Sequence, residues 1–367
     1  MHGGVGTIGG TMFVLGTRPE AIKLAPVIAA LPRAAVKIVL TGQHRDLARA
    51  ALAHFNLFAD FDLALMRRGW SPATFVAAAM PAIGRLIERI APSVVVVQGD
   101  TATAIAAALA ASYGKVPLAH VEAGLRSGEN NPFPEELQRR LIAQMATIHF
   151  APTAAAAAAL RREGVSTAAI HVTGNPVIDA LHATAAGLGD ADAATTRPLV
   201  LVTAHRRENH GAPMAAIGEA LATLAQPDDL DIVVPLHPHP QSGPVLARRL
   251  RGLPGITLSP PLDYPAFVAL LRRARLVLTD SGGVQEEAPA FGCPVLILRD
   301  VTERGEGVAA GAARLVGTNA AIIVAAVREL VDDDRAHARM SRASLPYGDG
   351  HAGCRIAAQL NALQVTA

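Results

Sequence analysis

The stretch Leu276 to Asp300, LVLTDSGGVQEEAPAFGCPVLILRD, constrains this chain more than any other. A short apolar run, Leu276 to Leu278, halts at Thr279, Asp280 and Ser281, and Gly282 and Gly283 follow before Val284 opens a helical segment that Gly292 closes. A second apolar run, Pro294 to Leu298, completes a strand–helix–strand unit with its glycines at the strand-to-helix turn. Backbone N–H groups point out of such a turn, and with no side chain at Gly282 or Gly283 a phosphate can approach closely. Glu286 and Glu287, one turn on, do not suit a phosphate; beside a bound nucleotide such a carboxylate accepts from ribose hydroxyls. On spacing alone, a tight glycine turn with two solvated glutamates reads the same way, so the rest of the chain has to decide.

A chain of 367 residues is too long for one ordinary core, and two domains of roughly 150 to 200 residues are expected. Its 51% hydrophobic and 17% charged residues suit two well-packed globular bodies. A net charge of +2, with no Lys/Arg cluster, argues against nucleic acid as a partner. Cys293 and Cys354 suggest neither a disulfide nor a metal site, which fits a reducing cytosol. The opening MHGGVGTIGG lacks the basic and apolar blocks of a signal peptide, and no apolar run is long enough to span a bilayer, so a cytoplasmic protein is expected.

Strands and helices alternate from the start. Met12–Leu15 reads as a buried strand ending in GTRPEAIK, with Pro19 suited to a first helical turn, Arg18 on the loop before it and Lys23 about one turn in. Lys37–Thr41 is followed by Gly42-Gln43-His44-Arg45, the valine run Val94–Val97 by Gln98-Gly99-Asp100-Thr101, and Leu118–Val121 by Glu122. Ile148–Ala151 and Ile170–Val172 close this half, and Gly174-Asn175-Pro176 reads as a link. The pattern restarts with Leu199–Thr203 before AHRREN, Ile232–Leu236 before HPHP, a short strand at Ile256 and Leu258, and a helix Tyr264–Arg273. Val301–Gly307 reads as a loop, and Ala320–Leu330 and Gly350–Leu363 as terminal helices. The fold class expected is α/β, two Rossmann-like doubly wound domains facing a cleft: 1–174 with the carboxylates, 175–349 with the glycine turn, and 350–367 as a C-terminal helix.

Asp100, Glu122, Glu135 and Glu136 are carboxylates placed on strand-end loops of the first half, the last two after the proline-flanked Asn131-Pro132-Phe133-Pro134. Near Arg18 and Arg139 such groups can have their pKa values pushed apart, which lets one site hold an acid and a base. Singly, each is also what a helix cap or a solvated turn would carry. His205 can meet a phosphate or move a proton. His237 and His239 are flanked by prolines that disfavour regular ligand spacing, and no third ligand is evident, so no metal is expected.

Taken together, GTRPEAIKLAP (Gly16 to Pro26), TGQHR (Thr41 to Arg45), GDT (Gly99 to Thr101), HVEAGLRSG (His120 to Gly128), PFPEE (Pro132 to Glu136), TAHRREN (Thr203 to Asn209), DSGGVQEEAP (Asp280 to Pro289) and RLVGT (Arg314 to Thr318) resemble the bacterial non-hydrolysing UDP-N-acetylglucosamine 2-epimerases over nearly the whole length. The resemblance implies a glycosyltransferase-B type fold with its C-terminal helix, 350–367, returning to the first domain, a homodimer, a UDP-sugar substrate, and neither a metal nor a nicotinamide cofactor. It implies a reaction in which the C2 proton is removed and UDP expelled to give a bound 2-acetamidoglucal, after which UDP re-adds and a proton returns to the opposite face. Carried over by motif, Asp100, Glu122 and Glu135 are the proton-transfer residues, Arg139 orients them and Lys23 lies near the sugar. Arg18, His205, Ser281 and Gly282 would hold the diphosphate and Glu287 the ribose, with Gly283 and Arg304 also binding the UDP-sugar. Gln43, Glu136, Arg206 and His237 match positions of a second, activating UDP-GlcNAc. Which carboxylate is acid and which is base stays open.

The chain departs from the family at four places. Gln98 stands where His is usual, Gln138 where Asn is usual, Gly305 where Pro follows Thr-Glu-Arg, and Trp70, after Gly69, where many relatives carry Gln. Gly305 predicts a more flexible Val301–Gly307 loop, and Trp70 predicts weakened activation or a different sugar. A sister epimerase on another UDP-2-acetamido sugar, a hydrolysing epimerase and a glycosyltransferase share the scaffold and remain alternatives.

Overall fold

The computed structural model describes residues 9–128, 132–189, 197–343 and 345–366. Residues 1–8 and Asn131, both used in the sequence reading, lie outside them. The chain forms two compact units: one runs to Ala180 and takes in the chain again from Tyr347, and the other holds Leu181–Pro346.

Among the described residues the first unit is built on seven parallel strands, β1 (Thr11–Leu15), β2 (Val36–Leu40), β3 (Phe61–Asp62), β4 (Val94–Gln98), β5 (Leu118–Val121), β6 (Ile148–Ala151) and β7 (Ile170–Val172), in the order β3-β2-β1-β4-β5-β6-β7. The second has, among the described residues, six parallel strands, β8 (Leu199–Thr203), β9 (Asp231–Pro235), β10 (Ile256–Ser259), β11 (Leu276–Thr279), β12 (Val295–Ile297) and β13 (Ala313–Leu315), in the order β10-β9-β8-β11-β12-β13. Both are doubly wound, and in each the order reverses beside the first strand, between β1 and β4 and between β8 and β11. The loops leaving those strands flank the switch point where such sheets take ligands. Val94, Val95, Val96 and Val97 are all fully buried, as a parallel strand covered on both faces requires.

Local chemistry fixes how β1 feeds its helix. A side chain at Gly16 would run into the hydroxyls of Thr41 and Thr103. Thr17 caps the helix Arg18–Ala29 through a capping box with Glu20, and Pro19 occupies the first turn. Arg18 is therefore the first helical residue rather than a loop residue. Glu135 and Glu136 likewise open the helix Glu135–Met145 instead of lying on a strand-end loop. In the organising unit the helix spans Gly282–Glu287, two residues earlier than the glycines would suggest, and a 3-10 turn Ala288–Phe291 ends at left-handed Gly292.

Asn175 is fully buried and donates its N–H to the Tyr347 carbonyl at 2.7 Å, so Gly174-Asn175-Pro176 belongs to the body of the first unit. The crossing between units falls inside the helix Pro176–Gly187 that Pro176 starts. The terminal helix Ala352–Thr366 packs on Arg18–Ala29, with Gly353 close against Pro26. Asp179 caps it by accepting from the Ala352 and Gly353 N–H groups at 3.2 and 2.8 Å. No helix among the described residues is long and apolar enough to cross a membrane.

Candidate active site

On the first unit, four side chains meet behind the carboxyl end of β5. Glu122 Oε2 accepts from Gln98 Nε2 at 3.0 Å and Asn175 Nδ2 at 3.1 Å, and pairs with the Lys23 ammonium. Glu122 is 9% exposed and Lys23 5%, so this is a buried ion pair whose desolvation is offset by added hydrogen bonds. One strand over, Arg139 Nη2 reaches Asp100 Oδ2 at 2.7 Å, and Gln138 Nε2 donates to the Asp100 carbonyl at 2.7 Å. The same guanidinium lies 3.4 Å from Glu136, which also takes Arg140 Nε at 3.0 Å and the Ser127 N–H at 3.2 Å. Asp100 stays partly open while Glu136 is buried. Glu135 is half-buried and takes no hydrogen bond or ion pair among the described residues.

Two buried groups hold these loops. Glu20, fully buried, accepts from the Gly16 and Thr17 N–H groups at 3.0 and 2.7 Å, from the Thr17 hydroxyl, and through its other oxygen from Thr101 Oγ1 at 2.6 Å. It thereby ties the Arg18 turn to the Asp100 loop; burial raises its pKa against the pull of those donors. His120 Nε2 meets the Gly99 carbonyl at 2.8 Å, and burial lowers that imidazole's pKa to about 3, so it is neutral and donates. Arg18 lies near His44, whose pKa is lowered by burial and then by that guanidinium. Gln43 accepts from Thr103 N and Oγ1 at 3.2 and 2.9 Å.

On the second unit, fully buried Asp280 is the knot. Its Oδ2 accepts from the His205 and Arg206 N–H groups, both at 2.8 Å, and from Asn209 Nδ2 at 3.0 Å, while His205 Nδ1 lies 3.5 Å from Oδ1. The loops after β8 and β11 are locked together. The His205 ring stacks on His237 at 5.0 Å between centroids, and His210 on His239 at 4.5 Å. Ser281 donates its N–H to Thr279 Oγ1 at 2.9 Å. Glu287 accepts from the Tyr264 hydroxyl at 2.8 Å, whose pKa is raised by burial and then by that carboxylate, so it remains a donor. Glu286 faces Arg304 Nε at 2.7 Å instead of solvent, and Arg304 also pairs with Glu303. Glu303 in turn meets Arg299 at 2.9 Å; burial would raise its pKa, but Arg304 and Arg299 outweigh that and hold it well below the usual carboxylate range.

The profile of the UDP-N-acetylglucosamine 2-epimerase family matches residues 28–361. This chain belongs to that family. It is 42% identical over 369 residues to a probable UDP-N-acetylglucosamine 2-epimerase of Ralstonia nicotianae, covering 96% of this chain and 98% of that one. It is also 42% identical over 370 residues to the UDP-N-acetylglucosamine 2-epimerase of Yersinia pestis, with the same coverage. The crystal structure of the Neisseria meningitidis UDP-GlcNAc 2-epimerase bound to UDP-GlcNAc superposes with a TM-score of 0.90 at 38% identity, over 96% of this chain and 99% of that one.

Within this epimerase fold, the first unit brings Lys23 and Glu122 into contact, and Asp100 and Arg139, while the second brings His205 to Asp280 beside Ser281. Two expectations change. The space a side chain would need at Gly282 is taken by the Arg304 guanidinium rather than left empty, whereas at Gly283 Glu287 Oε2 is the one neighbour within 4 Å among the described residues, at 3.9 Å. The Val301–Gly307 segment is not a loose loop: Glu303 and Arg304 are buried, Thr302 Oγ1 donates to Gln285 at 2.7 Å, and Gly305 starts the helix Gly305–Ala309, where a glycine and a proline are both tolerated. Trp70 packs half-buried against the core of the first unit. Among the residues carried over for an activator, Gln43 and Glu136 have no bond to one another among the described residues. Glu20 was missed, although Thr17-Arg18-Pro19-Glu20 is a capping-box spacing. Asn175, His120 and Tyr264 carry no comparable local signal.

Proposed function

We propose that this chain interconverts UDP-N-acetylglucosamine and UDP-N-acetylmannosamine by inverting C2, without net hydrolysis. Its membership of the epimerase family supports this, as do the near-full-length relatives named for that activity and the Neisseria homologue's complex with UDP-GlcNAc. The observation that carries the chemistry is a pair of carboxylates, Asp100 and Glu122, at the ends of adjacent strands β4 and β5, each with its own cation, Arg139 and Lys23.

In the reaction proposed, one carboxylate takes the C2 proton as the C1–O bond to UDP breaks and a C1–C2 double bond forms, giving 2-acetamidoglucal and UDP. UDP then adds back at C1 while a second acid delivers a proton to the other face of C2. Glu135 completes the set of proton carriers, Arg139 orients Asp100, and Lys23 holds Glu122 and adds positive charge near the sugar. Arg18, His205, Ser281, Gly283 and the backbone of Gly282 hold the diphosphate, and fixed cations and N–H groups favour its departure. Arg304 contributes from behind Gly282, and Glu287, steadied by Tyr264, accepts from the ribose. An activating UDP-GlcNAc read by Gln43, Glu136, Arg206 and His237 and a homodimeric assembly belong to the same proposal. Stimulation of the reverse reaction by a trace of UDP-GlcNAc and a dimer mass in sedimentation are their readouts.

Proton and phosphorus NMR on UDP-GlcNAc incubated with the protein tests the reading. UDP-ManNAc accumulating beside UDP-GlcNAc supports it. Free UDP with N-acetylmannosamine would assign the hydrolysing relative, and no product would send the search to other UDP-2-acetamido sugars.

A further inference from the structure

Glu122 follows β5 with a φ of +63°, a left-handed angle that a residue with a side chain keeps only where its surroundings dictate it. They do so here. The Gly99 N–H donates to the Val121 carbonyl and the Ala123 N–H to the Phe150 carbonyl, both at 3.0 Å, and three donors converge on Oε2 of the side chain. Two of the three are primary amides from separate parts of the chain. Gln98 ends β4, two residues before Asp100, and is 4% exposed; Asn175, fully buried, precedes the helix Pro176–Gly187. The Asn175 amide cannot turn over freely, since its Oδ1 accepts the Val177 N–H at 3.2 Å, which leaves Nδ2 for Glu122.

We propose that Gln98 and Asn175 are positioning residues for Glu122, a neutral amide clamp that fixes the rotation of the carboxylate for proton transfer at C2; this rests on the epimerase reading above. The terminal torsion of a glutamate is broad, so the ion pair with Lys23 sets its distance more firmly than its rotation. Two amides approaching from different elements supply the missing restraint. Neither takes up nor loses a proton in the working range, so the two amides add no charge beside the Glu122–Lys23 pair. A reacting group displaced by about 1 Å loses on the order of 10²-fold in rate, which is why the clamp matters to turnover rather than to binding.

Gln98→Met keeps the length and removes the donor. Its kcat should fall about 10- to 100-fold, with the KM for UDP-GlcNAc, the affinity for UDP and the melting temperature close to wild type. Gln98→Glu supplies a readout that a structural role would not move. Protonated, the introduced carboxyl donates to Glu122; ionised, it repels it, so kcat relative to wild type should rise as pH falls. Asn175→Asp should behave in parallel. Full kcat in Gln98→Met, or a loss in Gln98→Glu that is the same at every pH, would overturn the clamp while leaving the epimerase reading standing. A wild-type protein that turns over no UDP-GlcNAc in the same assay would overturn that reading and the clamp with it.

Discussion

Arg304 fills the space that a side chain at Gly282 would need, and its guanidinium is held there by Glu286 at 2.7 Å and by Glu303. Because both partners are buried, the arginine cannot swing aside cheaply. Gly282→Ala is expected to cost about 1–3 kcal/mol through overpacking. Gly283→Ala meets only an ordinary contact and replaces a helical glycine, so it should lie between neutral and about 1 kcal/mol stabilising. Urea unfolding of the two variants checks this, and equal costs would contradict it.

Asp100 and Glu122 are the residues we propose for proton transfer, and of those proposed for the nucleotide only Arg18 belongs to the same unit. Asp100→Asn and Glu122→Gln should each cut turnover about 10²- to 10⁴-fold, the usual effect of removing a general acid or base. UDP affinity by calorimetry should barely change. Normal turnover in either variant would remove that residue from the mechanism.

Glu287 is 6% exposed and already engaged with Tyr264. Glu287→Ala should weaken UDP binding by about 1–3 kcal/mol, because a ribose hydroxyl would be left without its acceptor. Tyr264→Phe, which loosens the carboxylate without removing it, should have a smaller effect on the same titration. Unchanged UDP affinity in Glu287→Ala would take it out of the ribose site.

His120 and His149 sit opposite one another on β5 and β6, both buried, with pKa values lowered by burial from 6.5 to about 3 and about 4. Below pH 6.5 the unfolded chain takes up these protons and the folded chain does not until it nears those lower values. Their contribution is therefore complete above pH 6.5 and is lost as pH falls toward 4. Unfolding free energy should drop by on the order of 2–3 kcal/mol per histidine across that window. Urea titrations at pH 7, 6 and 5 read the slope; a flat profile would show that both imidazoles take up protons in the folded protein as readily as in the unfolded chain.

Much of the architecture was legible because strands buried on both faces announce themselves, as Val94–Val97 does, and because each stops at glycine, Asp or Thr. β3 escaped notice because two residues, Phe61 and Asp62, carry no period, and β13 because Arg314 and Leu315 remain partly exposed. Helix starts were misplaced at Arg18, Glu135 and Gly282, where capping and tertiary contacts outweigh the local look of proline and glycine. The candidate carboxylates could be picked out one by one. Their partners could not: Asn175 reaches Glu122 across 53 positions, and Arg304 reaches Gly282 only once the loop after β12 has folded back. Such pairings are properties of packing, and no spacing rule encodes them.

The proposed reaction exchanges a proton at one carbon, and NMR of UDP-GlcNAc incubated with the protein in deuterated water follows that exchange. Deuterium is expected at C2 of both UDP-GlcNAc and UDP-ManNAc, with the C2 proton signal fading as the two sugars reach a stable ratio. UDP-ManNAc that keeps its C2 proton would contradict it, since no carboxylate would then have exchanged that proton with solvent.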